Sequence, residues 1–214
     1  MRRGLIVSCQ ALKQEPLHST FIMGRMAVAA KEGGAVGIRA NGVADIVEIK
    51  KRVDLPIIGI IKAEYPDLTP YITPTYKEVD ALVEIGVDVI ALDATMDQDE
   101  TLLKSLKEKY PGQSFMADVS TFEEGMRADE IGFDYVGITL LGYTEQSKHL
   151  DKFQVLEALV KNCRANVIAE GNINTPEAAA TAMKLGAYAV VVGSAITRPQ
   201  VITGWFAEAV DKVK

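Results

Sequence analysis

Eight short apolar runs, separated by amphipathic stretches, recur along the whole chain, and this alternation leaves few folds open. The runs cover residues 5–10, 35–40, 57–63, 88–95, 114–120, 134–140, 166–172 and 187–196, and consecutive runs start 20 to 32 residues apart. They are rich in Val and Ile and hardly alternate apolar with polar residues, as parallel strands buried on both faces should look. Eight uninterrupted βα units in 214 residues predict a single α/β domain over 1–214, a closed (β/α)8 TIM barrel. An open doubly wound sheet with the same alternation is the competing architecture.

The intervening stretches carry helix signals. Residues 76–85 place Val79, Leu82, Val83 and Ile85 largely on one face. Thr121 stands three residues before Glu124, a capping-box spacing, and Thr175-Pro176-Glu177 puts proline in a first helical turn after a polar cap. Helix end, glycine and strand start recur as a weak repeat around Gly86, Gly132 and Gly186, with a looser copy at Gly33-Gly34; glycine there accepts the left-handed conformation that ends a helix. The segment 64–75, with Pro66, Pro70 and Pro74, is the longest irregular stretch, and reads as a rim or lid or as a rigid connecting loop.

Charge excludes some functions. Lys plus Arg number 23 against 29 Asp plus Glu, a net charge of −6, whereas nucleic-acid binding needs a basic stripe. The longest basic cluster, Lys50-Lys51-Arg52, reads as a solvated helix end. The apolar stretch after Arg2-Arg3 is broken by Ser8, Gln10 and Lys13 without a cleavage site, so neither a signal peptide nor a membrane span is expected. Cys9 and Cys163 form no metal spacing or disulfide framework. A cytoplasmic, reduced protein is expected, with Cys9 in the barrel interior.

In such barrels the chemistry sits at the C-terminal ends of the strands. Polar residues that end or interrupt the apolar runs are Gln10, Arg39, Lys62, Asp93, Asp118, Thr139 and Glu170, each from a different strand. Lys62 follows six consecutive apolar or glycine residues, and Glu170 follows Val167-Ile168-Ala169, placements that favour a site; a structural Lys62–Glu170 ion pair is the competitor. Gly171-Asn172 and Gly193-Ser194 end strands seven and eight, where backbone N–H groups approach an anion closely, and Arg198 adds a charged fork. Only His18 and His149 are present, both in expected loops, so no histidine-rich metal site is expected. No GxGxxG after a strand and no Walker motif supports a nucleotide cofactor.

Six segments in order carry a family resemblance: Gly4-Leu5-Ile6-Val7-Ser8-Cys9-Gln10, Ala35-Val36-Gly37-Ile38-Arg39, Ile58-Gly59-Ile60-Ile61-Lys62, Met116-Ala117-Asp118-Val119-Ser120, Ala169-Glu170-Gly171-Asn172-Ile173 and Val192-Gly193-Ser194-Ala195-Ile196-Thr197-Arg198-Pro199. Together they resemble the N-acylmannosamine-6-phosphate 2-epimerases of bacterial sialic acid catabolism over nearly the whole chain. The resemblance implies interconversion of N-acetylmannosamine 6-phosphate and N-acetylglucosamine 6-phosphate on the ring-opened sugar, without metal, nucleotide or other cofactor. It makes Lys62 the principal acid/base and Glu170 the group that assists ring opening or transfers the second proton. Arg39 would stabilise the developing oxyanion, while Gln10, Asp118 and Thr139 would bind the sugar. The phosphate would sit on Gly171, Asn172, Gly193, Ser194 and Arg198. A free lysine titrates at about 10.4, so Lys62 needs a depressed value, which burial beside Ile60 and Ile61 would supply.

Two rival functions remain open on sequence grounds: an isomerase or aldolase using Lys62 as a Schiff-base nucleophile, and a non-catalytic sugar-phosphate sensor. A small-molecule substrate is the expected partner. Residues 201–210, with Trp205 and Phe206, form either core or the face of a homodimer.

Overall fold

The computed structural model describes residues 1–213. Its strands are β1 (Gly4–Cys9), β2 (Gly37–Asn41), β3 (Ile57–Ile60), β4 (Val89–Asp93), β5 (Ser114–Asp118), β6 (Tyr135–Gly137), β7 (Asn166–Ala169) and β8 (Ala189–Val192). All neighbours are parallel, in sequence order, and β1 pairs with β8 from Gly4↔Ala189 to Val7↔Val192, closing the barrel. The open-sheet alternative is thereby removed. The helices are α1 (Thr20–Glu32), α2 (Val43–Lys50), α3 (Tyr76–Glu84), α4 (Glu100–Lys109), α5 (Phe122–Ile131), α6 (Lys152–Asn162), α7 (Pro176–Lys184), α8 (Ser194–Thr197) and α9 (Pro199–Asp211).

The doubly buried strands separate two apolar layers. Ile6, Ile58, Ile60, Val89, Ala91, Met116, Ile168 and Val191 fill the barrel. Val7, Ile38, Ile57, Ile90, Leu92 and Val190 meet Met23, Ile46, Leu82, Leu103 and Leu159 of the surrounding helices. Cys9 belongs to this outer layer, which corrects the expectation of an interior thiol. Side chains alternate across a strand, so Ile6, Ser8 and Gln10 share the inner face and Val7 and Cys9 the outer one. Burial pushes the Cys9 thiol up to about 12, so it stays neutral and is no nucleophile.

Local signals act as the sequence suggests. The Thr121–Glu124 capping box forms, and Thr175 caps α7 ahead of Pro176; a second box, Thr75–Glu78, opens α3. Gly132 is left-handed (φ 99°) at the end of α5, but in the looser repeat the left-handed residue is Gly34 rather than Gly33. Lys50 is more than a solvated helix end, since its ammonium donates to the Ile85 and Gly86 carbonyls at 2.6 and 2.7 Å.

Most runs are shorter as strands than as apolar sequence, and the last and the third show why. The last stops at Val192 because Gly193 turns sharply (φ −112°, ψ −88°) into α8. The third stops at Ile60, and the chain then folds back on itself, pairing Lys62 with Ile72 in an antiparallel bridge. Thr73 locks this fold-back: its Oγ accepts from the Ile61 N–H (3.2 Å) and donates to the Ala91 carbonyl (2.7 Å). Ile72 is thereby buried at the barrel mouth.

The last helix departs from a regular barrel. None of the residues of α9 is buried, and Trp205, Phe206 and Val210 are exposed, so residues 201–210 are not core. Outside β8 and β1, beside α7, an apolar groove of about 440 Å³ lies uncovered, lined by Leu5, Pro176, Ala179, Met183, Val190 and Ile196 among others. A helix following β8 would ordinarily pack on this face of the ring.

Candidate active site

The C-terminal ends of the strands surround a polar cavity of about 360 Å³. At its floor lies the Arg39 guanidinium, a cation only 1% exposed. Inward-facing on β2, it meets Asp118 at the end of β5 through two bonds, Nη1 to Oδ1 at 3.1 Å and Nη2 to Oδ2 at 2.5 Å. Nη1 also donates to Glu170 Oε2, just past β7, at 2.9 Å, and Thr139 donates to Asp118 Oδ1 at 2.5 Å. Burial disfavours the guanidinium charge, but Asp118 and then Glu170 outweigh it, raising the Arg39 pKa above its ordinary value. One positive charge serves two carboxylates, and Asp118 holds the two-pronged share. Glu170 is left raised to about 7, chiefly by burial, with Arg39 opposing and the Asp118 charge reinforcing the rise.

Lys62 enters from the other side. Its backbone N–H donates to Asn41 Oδ1 at 2.9 Å, which with the Ile72 bridge fixes its position. Its ammonium has no hydrogen-bond or ion-pair partner among the described residues. Burial lowers its pKa, and the charges of Arg39 and Arg198 lower it further against the pull of Glu170 and Asp118. The competing structural ion pair is absent: Glu170 pairs with Arg39, not Lys62. At the rim, Gln10 donates through Nε2 to Ser8 Oγ at 2.9 Å, while its Oε1 is buried without a partner.

Opposite lies a corner suited to an anion. Gly171 and Asn172 are both left-handed (φ 87° and 51°), and a Cβ at Gly171 would stand 3.1 Å from the Thr139 carbonyl oxygen, so only glycine fits. Gly193 and Ser194 face the same space. Arg198 donates to Ser194 Oγ at 3.3 Å and meets Glu15 at 2.9 Å through Nε, an arrangement that orients its fork.

Gln10, Arg39, Lys62, Thr139, Glu170, Gly171, Asn172, Gly193, Ser194 and Arg198 all line this one cavity. Asp118 stands apart: fully buried, it lies behind Arg39 and Thr139, which engage both its oxygens, and so contacts the cavity only through them. Asp93 also sits outside. Its carboxylate accepts from Thr95, its N–H donates to the Ile72 carbonyl at 2.9 Å, and it anchors the 61–75 loop. Ser8, Tyr71, Ile72, Tyr143 and Asn174 line the cavity without having been singled out. Ser8 was detectable, two residues before Gln10 on the same face; the loop residues carry no periodic signal. Among the described residues no group of three or more His, Cys, Asp or Glu side chains is placed to hold a metal ion, and no helix is long and apolar enough to cross a membrane.

Fold and cavity define a (β/α)8-barrel enzyme whose mouth gathers a buried lysine, a buried glutamate and an anion-receptive corner. Comparison with known proteins narrows the class. The family model described as NanE, "Putative N-acetylmannosamine-6-phosphate epimerase", matches residues 23–212. A relative of that description from Borrelia garinii subsp. bavariensis is 53% identical, over 100% of this chain and 97% of its own. Another from Clostridium perfringens is 54% identical, over 97% of each. The solved structure of the N-acetylmannosamine-6-phosphate 2-epimerase from Clostridium perfringens superposes with a TM-score of 0.92 at 55% identity, covering 96% of this chain and 92% of that one. The chain belongs to the NanE epimerase family.

Proposed function

We propose that the protein interconverts N-acetylmannosamine 6-phosphate and N-acetylglucosamine 6-phosphate by moving the proton at C2 of the ring-opened sugar. One topological observation carries the mechanism: Lys62 follows β3 and Glu170 follows β7, strands that stand opposite each other in an eight-membered ring. A planar intermediate held between them offers one face to each. The C2 proton is acidic only beside a C1 carbonyl, so the pyranose first opens, with Glu170 assisting. Lys62, as the free amine favoured by its lowered pKa, takes the proton; the C2–H electrons form the C1–C2 double bond and the carbonyl pair moves to oxygen. Glu170, holding its proton near neutrality, delivers it to the other face of C2. The reverse direction exchanges the roles.

Arg39 places positive charge beneath the developing oxyanion, its Nη hydrogens shared with Asp118 and Glu170. Asp118 holds Arg39 and Thr139 in place, the unpartnered Gln10 Oε1 accepts from the sugar, and Thr139 binds it from the β6 side. The phosphate rests on Gly171, Asn172, Gly193, Ser194 and Arg198. Because substrate and product are at the same oxidation level, no redox cofactor enters, and the lysine supplies the base without a metal. The reaction fits amino-sugar breakdown, including that of sialic acids, in the cytoplasm, where Cys9 and Cys163 stay unpaired. The working form is a homodimer: the groove beside α7 takes α9 of a second copy, whose exposed Trp205, Phe206 and Val210 match its apolar lining.

Proton NMR in D₂O with N-acetylmannosamine 6-phosphate tests the reaction. The gluco epimer should appear with deuterium at C2, and Lys62→Ala should lose it by about a thousandfold. Absence of both product and exchange in the wild type overturns the reading. Trapping of a substrate adduct by borohydride would replace proton transfer with Schiff-base chemistry.

A further inference from the structure

Lys152, the first residue of α6, does not line the cavity, yet its ammonium donates to the carbonyl of Gly171, inside the anion corner. This partly buried cation has no carboxylate partner among the described residues, so its one bond is to a peptide. That peptide is unusual. A planar trans peptide points its C=O and the following N–H in opposite directions. With the Gly171 oxygen held outward by Lys152, the Asn172 N–H therefore points the other way, toward the cavity that Asn172 lines. This N–H has no hydrogen-bond partner among the described residues.

The orientation is not the backbone's default. Asn172 is left-handed (φ 51°), a conformation asparagine tolerates better than most residues but still less freely than glycine. Rotating the 171–172 peptide plane by half a turn would return Asn172 to a negative φ, but would aim the Gly171 oxygen into the corner, where it repels an anion. Tyr143, on the same β6–α6 connection, steadies the other side of the turn through Asn172 Oδ1 at 3.4 Å. We propose that Lys152 is a positioning residue for the phosphate group: from behind the loop it holds this peptide with its donor facing the ligand. The proposal rests on the reading of residues 171–172, 193–194 and 198 as the phosphate corner.

The test uses the full-length protein and inorganic phosphate as the probe, by isothermal titration, alongside steady-state kinetics on the phosphorylated substrate. Lys152→Met should weaken phosphate binding and raise KM by about tenfold, the cost of one oriented N–H to a charged acceptor, with kcat near the wild-type value. Lys152→Arg should restore most of the loss. Adding Asn172→Gly to Lys152→Met should also recover affinity, because glycine keeps a positive φ without strain, a rescue that general destabilisation would not give. Lys152→Ala, read below its own melting temperature, serves if the Met variant does not fold. If Arg198→Ala loses phosphate while the Lys152 variants bind as wild type, Lys152 has no such role and the corner stands. If neither weakens binding, the corner reading falls and this inference with it.

Discussion

At the scale of single residues, the floor of the site is governed by a shortage of positive charge. Arg39 faces two carboxylates, and the bidentate bond to Asp118 takes the larger share of its attraction, leaving Glu170 raised by burial. A measurable stability signature follows. Between its ordinary value of 4.5 and about 7, Glu170 keeps its proton in the folded protein while the unfolded chain has lost it. Stability from this group is therefore present at low pH and declines as pH rises through that window. Glu170→Gln cannot titrate. The melting temperature of this variant, relative to wild type, should climb from pH 4.5 to pH 7 and then level off. A difference that is constant or falls with pH would show that Glu170 is not held protonated.

At the scale of elements, the fold-back after β3 puts Lys62 where it is. Strand hydrogen bonding ends at Ile60, and the Lys62–Ile72 bridge with the Thr73 hydroxyl takes over. Thr73→Val keeps the shape and removes the bond, leaving the Ile61 N–H without its side-chain acceptor. Thermal unfolding should show a loss of about 1–3 kcal/mol, the usual cost of orphaning a buried donor; an unchanged melting temperature would mean the fold-back does not depend on that bond. This element also marks the limit of what sequence alone discloses. Doubly apolar runs announce strands, and a polar residue ending each run announces the mouth, which is why Lys62 and Glu170 stood out. A run apolar on both faces does not reveal which parity points inward; only Ser8 and Gln10, polar on one side of β1, disclose it, and Cys9 was misplaced for want of that check. Tyr71, Ile72 and Tyr143 come from loops, whose path depends on distant partners such as Ala91 and Asn172 and leaves no periodicity to read. Asp118 looked like a binding residue because its place at a strand end could not show that Arg39 and Thr139 would cover it.

At the scale of the molecule, the barrel is closed by its strands but not by its outer helices. With α9 standing clear of the groove beside β8 and β1, that face is open to the second copy of the homodimer proposed above. Light scattering after size exclusion should give twice the chain mass, and Trp205→Glu with Phe206→Glu should give single chains with a lower melting temperature. A wild-type monomer would overturn the dimer. Asn174 borders both the outer groove and the catalytic cavity, as the chain there passes from the anion corner into α7. Thus only a thin partition separates the substrate from whatever leans on the outside of the ring. A lone chain, its wall unsupported, should hold substrate more loosely than a paired one even where its chemistry is unimpaired.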